Sequence, residues 1–211
     1  TCTANITNKP IRNLLINGDH RIAQRGTAAV TVNNSGDYRC VDRWKTDIDG
    51  SGGGDFSHAQ STDVPTGQGF THSSKITTVT QASQPSGTTN KQQLYYQLEK
   101  QDVAHLAWGT SSAKTCTLSF WVKGSVTGSY PMYIHWYGSS NDNYYYTNYT
   151  INSANTWEKK TITLTGATSG GTVSGTNTVG LRIEWGLGYG SGFETGTLNE
   201  WTTSDVMRMA A

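Results

Sequence analysis

Apolar and polar residues alternate with period two in a series of short stretches, each bounded by Gly, Ser, Thr or Asn. The clearest is Cys116-Thr-Leu-Ser-Phe-Trp-Val-Lys123, with Cys116, Leu118, Phe120 and Val122 on one side and Thr117, Ser119, Trp121 and Lys123 on the other. Strict alternation over that length predicts a half-buried antiparallel strand. Next, Met132, Ile134 and Trp136 alternate with Tyr133, His135 and Tyr137. Strands are also predicted over 144–151, 157–164 and 179–185. The last of these places Val179, Leu181, Ile183 and Trp185 inward, and Gly180, Arg182 and Glu184 outward. Weaker alternation marks strands at 13–16, 40–48, 56–61, 75–80 and 92–99. One stretch, 102–109, reads as a short helix, with Asp102 as cap, Val103, Leu106 and Ala107 at helical spacing and Gly109 as stop.

Many short strands without helix–strand alternation predict an all-β sandwich of two antiparallel sheets. An up-and-down barrel would need more even spacing than the loops at 49–55, 82–91 and 165–178 allow. No closing strand follows Trp201, so the sandwich is expected to be completed by residues 1–16, by another subunit or by further chain.

Composition narrows the function classes. Gly, Ser and Thr dominate the 211 residues and only 15% are charged, which excludes a coiled coil. The 7 Trp, 11 Tyr and 4 Phe are more aromatic surface than a disordered chain carries. A net charge of +1, with the signs mixed along the chain, offers no basic stripe for nucleic acid. No apolar run is long enough to insert in a membrane, and no leader is evident. Cys2, Cys40 and Cys116 fit no disulfide framework and no zinc spacing.

Candidate chemistry is sparse. No hydrolase nucleophile elbow, H-E-x-x-H, P-loop or C-x-x-C occurs, and the Gly-rich 186–192 lacks the Lys-Ser/Thr of a phosphate loop. Asp47, Asp49 and Asp55 flank a Gly-rich turn, a donor set that suits a structural calcium ion or a solvated turn. Glu158 beside Lys159 and Lys160, and Glu184 beside Arg182, have neighbours that keep a carboxylate ionised rather than poised to give up a proton. On these grounds the chain is expected not to be an enzyme. The outward positions of the alternating strands remain. Trp121, Tyr133, His135, Tyr137, Tyr145, Arg182 and Glu184 are expected on one exposed face, where aromatic rings could stack on sugars and polar groups bond their hydroxyls. The same residues could equally anchor a neighbouring subunit.

Several blocks carry a family resemblance. Asn13-Leu-Leu-Ile-Asn-Gly-Asp-His-Arg-Ile-Ala-Gln-Arg-Gly26 resembles the opening of a group of tailed-phage virion proteins, especially from marine and cyanobacterial phages. The likeness continues through Val41-Asp-Arg-Trp44, 60–69, 106–115, Leu118-Ser-Phe-Trp-Val-Lys123 and 149–163, and so spans about residues 13–201. The resemblance implies a jelly-roll domain similar to carbohydrate-binding modules, preceded by an arm (1–12) and followed by a tail (202–211). It implies a structural component of a tail fibre or similar virion appendage, with other virion proteins as partners and a homo-oligomer, a trimer by analogy with many fibres. A dedicated receptor-recognition module for host-surface polysaccharide, a capsid decoration or head-fibre protein and a glycan-active enzyme are the alternatives.

Overall fold

The computed structural model describes residues 13–32, 36–49, 54–80, 91–173, 175–189 and 197–203; of Asp49 and Tyr189 only the backbone is described. The fold is an all-β sandwich. One layer is a six-stranded antiparallel sheet in the order β11-β8-β7-β10-β5-β2. Its strands are β2 (Trp44–Asp49), β5 (Lys91–Glu99), β7 (Gly128–Trp136), β8 (Asn143–Ile151), β10 (Val179–Tyr189) and β11 (Trp201–Thr202). Two smaller sheets make up the other layer. One is a ribbon of β6 (Cys116–Val122) and β9 (Glu158–Leu164); the other joins β1 (Val30–Val32), β3 (Phe56–Ser61) and β4 (Ser73–Thr78). Between β5 and β10 the chain crosses layers repeatedly, from β5 to β6, back to β7, then from β8 to β9 and back to β10, in the manner of a jelly roll.

The alternation sets this arrangement. Leu118 and Leu164 of the ribbon meet Met132, Ile134, Trp136, Leu181, Ile183 and Trp185 of the large sheet in one core. Phe120 packs against Trp185 and Tyr149 at 5.7 and 5.2 Å, both edge-on. Val32, Phe56 and Ile76 of the three-stranded sheet close over Ile48 of β2. Pro131 sits in β7 where only β8 pairs with it, so its missing N–H interrupts no second ladder.

The expected helix is shorter and begins earlier. α1 covers Lys100–Val103, and a 3-10 turn over Ala104–Leu106 ends at Ala107, whose φ of 54° is left-handed. It packs so closely on β10 that a Cβ at Gly180 would lie 2.8 Å from Lys100 Cα. Trp108 follows, fully buried, with ring centroids 5.5 Å from Trp136 and 5.3 Å from Trp201. Burying an indole of about 200 Å2 at about 25 cal/mol per Å2 contributes about 5 kcal/mol of transfer free energy.

One further expectation changes. Residues 13–16 form a turn rather than a strand. The Asn17 side chain ties that turn together: its amide donates to the Ile22 and Asp42 carbonyls, and its oxygen accepts from the Ile22 N–H, each at 2.9 Å. Trp201 and Thr202 form a two-residue edge strand paired with Tyr145 and Tyr144, and residues 204–211, where no closing strand is expected, lie outside the described residues. Between the small sheets, Asp63 forms a latch: Trp157 Nε1–H donates to one carboxylate oxygen at 3.0 Å, and the Lys123 ammonium binds the other.

Candidate functional site

The expected aromatic face divides between two layers. β6 pairs with β9, not β7, so Trp121 lies on the outer face of the ribbon, directly opposite Lys159. Tyr145 is corrected as well. It stands opposite Ile134 in the β7–β8 register, shares that residue's side of the sheet and lies in the core. Tyr144 and Tyr146 take the outer side instead, opposite His135 and Tyr133.

The outer face of the large sheet is also less open than expected. Tyr133, Tyr144 and Tyr146 form their own buried cluster beneath Leu198. Segment 197–199 is held there by the Asn199 N–H donating to the Tyr146 carbonyl and by the Thr147 hydroxyl donating to Asn199 Oδ1, both at 2.7 Å. His135 is 8% exposed and Glu184 only 1%. The register carries this polar band across the sheet, since Arg182 stands opposite His135 and Gln97, and Glu184 opposite Tyr133 and Tyr95.

At the centre of the band Arg182 Nε lies 2.7 Å from Glu184 Oε1, and its guanidinium sits 4.0 Å from the Tyr95 ring centroid. Burial alone would lower the Arg182 pKa; the charges of Glu184, Tyr137 and Tyr95 outweigh it and raise it. Burial pushes the Tyr95 hydroxyl up to about 12 and also raises Tyr137, against the opposing pull of Arg182. The Tyr137 ring stacks on His135 at 3.7 Å, and His135 Nε2 contacts Asp142 Oδ2 at 3.0 Å. Tyr137, Gln97, Arg182 and Asp142 are half-buried, and form the part of the band that a ligand can reach.

Of the calcium candidates, Asp47 accepts from the Gln93 side-chain amide at 3.3 Å, while the Asp55 carbonyl accepts from the N–H groups of Val79 and Thr80. The Asp49 side chain and residues 50–53 lie outside the described residues. Among the described residues no group of three or more His, Cys, Asp or Glu is placed to hold a metal.

Two arrangements were not legible in the sequence. His58 Nε2 and His20 Nδ1 both contact Ser74 Oγ, at 3.1 and 2.8 Å, and His20 packs on Trp44 at 4.5 Å. Burial lowers both histidines to about 4, and for His20 the nearby His58 adds to the lowering while Asp19 opposes it. These imidazoles are therefore neutral at pH 7, and the network pins the 13–26 turn onto the three-stranded sheet. The second arrangement is a depression of about 590 Å3 lined by Thr27, Ala29, Ala59, Gln60, His72 and Lys75. It lacks an aromatic platform, so the Tyr137–Arg182 edge is the better candidate for a sugar ligand.

No family model matches the chain, and no curated protein matches it. Among solved structures it is similar to the enzymatically active domain of tailspike protein 4 of bacteriophage CBA120, with 14% sequence identity and a TM-score of 0.41. The likeness covers 68% of this chain and 18% of that one, so the chain matches under a fifth of that structure's length. Because that domain's description is of an active enzyme, the expectation that this chain is not an enzyme is withdrawn. A TM-score this low transfers neither an activity nor a site.

Proposed function

We propose that the chain is a β-sandwich domain of a tailed-phage virion appendage, a tail fibre or similar, that contacts host-surface glycans through the outer face of its six-stranded sheet. The virion setting is supported by the sequence blocks between residues 13 and 163 that resemble phage structural proteins. One observation carries the glycan reading: the half-buried Tyr137–Arg182 edge is held in place before any ligand arrives. Glu184 and the Tyr95 ring fix the guanidinium, and the stack on His135 fixes the phenol. Groups already immobilised lose less entropy on binding. Arg182 N–H groups, the Tyr137 hydroxyl and the Gln97 amide can bond sugar hydroxyls, while ring faces take C–H surfaces. A shallow edge of this kind binds weakly, and repeated copies in a homo-oligomeric appendage raise the effective concentration.

The test replaces Tyr137 and Gln97 by Ala together and measures retention on host polysaccharide alongside the oligomeric state. Loss of about tenfold in retention with assembly intact is expected, corresponding to about 1.4 kcal/mol. Unchanged retention overturns the glycan role of this edge, whereas lost assembly assigns it to a contact between copies.

A further inference from the structure

The outer face of the β6–β9 ribbon has a different character. Its inward positions fill the core, while Thr117, Ser119, Trp121, Lys159, Thr161 and Thr163 point away from it. Trp157, immediately before β9, belongs to the same face, because it and Lys123 meet at Asp63 and the Lys123 ammonium lies 5.6 Å from its ring. Trp121 and Trp157 are therefore diagonal neighbours on one surface, both half-buried, beside an exposed row of hydroxyls.

The latch holds the Trp157 indole to Asp63, while on the same face Trp121 is half-buried and Lys159 exposed. Lys123 neutralises Asp63, holding its carboxyl below the usual range with help from the Trp157 N–H. Lys75 adds positive charge close to Asp63, and Lys159 stands exposed across from Trp121. The surface thus pairs two indoles with an excess of ammonium groups. Flat apolar faces suit the C–H side of a pyranose, and an ammonium suits a carboxylate attached to it.

We propose that Trp121, Trp157 and Lys159 form a binding platform for an acidic polysaccharide, with sugar rings on the indoles and a ring carboxylate on Lys159. The site lies on the opposite layer from the Tyr137–Arg182 edge, and separate variants test the two. The indole N–H resonances of the full chain are followed while oligogalacturonate, or neutral maltooligosaccharide as control, is added. The Trp121 and Trp157 signals shift with the acidic oligomer, and added salt weakens its binding. Lys159→Gln, at an exposed position that leaves folding intact, cuts acidic binding about tenfold, the size of one charge-assisted contact, and leaves neutral binding unchanged. Trp121→Ala weakens both ligands, and the double Tyr137/Gln97 variant leaves acidic binding on this face unaltered. The proposal is overturned if Lys159→Gln keeps the acidic preference, or if neither indole signal moves at saturating oligogalacturonate.

Discussion

The outer faces of the two layers come from the same period-two alternation and meet solvent differently. On the large sheet the outward positions of β7, β8 and β10 include Tyr133, Tyr144, Tyr146 and Glu184, all buried. On the ribbon the outward Thr117, Ser119, Lys159, Thr161 and Thr163 are exposed. Alternation tells which side chains turn away from the core. Whether that side stays open depends on what other chain docks there, here Leu198 and its neighbours over the tyrosines. A sheet face can therefore be a second, polar core, and substitutions should separate the two kinds of outer position.

The largest effect is expected in the inner core, which serves as the reference. Trp136→Ala removes a fully buried indole and should cost about 3–5 kcal/mol, read as a lowered urea midpoint. Glu184→Leu should approach that value at about 3 kcal/mol, although its site faces away from the main core, because it strands the Arg182 charge in a largely buried position. If Glu184→Leu costs less than a typical surface change, the outer face is not a second core.

Acid tests another buried polar region. His20 and His58 have folded pKa values of about 4, below the unfolded 6.5, so folding favours their neutral forms. Their stabilisation is complete above pH 6.5 and is lost as pH falls through 4, by about 2–3 kcal/mol for one histidine. Urea midpoints at pH 7, 5 and 4 should fall progressively in the wild type, and His58→Gln should flatten that dependence. A wild-type midpoint that stays level down to pH 4 would contradict burial of the pair.

The latch lies nearer the surface. Asp63→Asn should cost only about 0.5–1 kcal/mol in the same assay, since its carboxylate is half exposed and screened. Smallest of all, Ser119→Ala on the open ribbon face should stay within about 0.5 kcal/mol. A larger loss there would mean that this face is covered.

Sequence and structure agree where apolar and polar residues contrast. Leu118 and Phe120 face inward and Ser119 outward as the alternation predicts, because a one-residue slip would bury the polar set. Tyr144-Tyr-Tyr146 offers no such contrast. Its phase is set by pairing with β7, which the residues alone do not encode. Sequential strands often pair, but β6 and β7 are separated by a layer crossing, and that moved Trp121 to the other side of the molecule. The His20–Ser74–His58 network and the Asp63–Trp157 bond join residues 54 and 94 positions apart. Contacts that distant leave no local spacing to read.

The indole stack has an optical consequence. Trp108 and Trp136 sit edge-on at 5.5 Å, and Trp108 and Trp201 at 5.3 Å. Transition dipoles held that close and at fixed tilt couple, splitting the indole absorption into a pair of circular-dichroism bands of opposite sign. Trp201 reaches the stack through the β11–β8 pairing and donates its N–H to the Thr165 carbonyl at 2.6 Å. The couplet should therefore report docking of the last strand: Trp201→Phe diminishes it while the backbone signal of the sandwich persists.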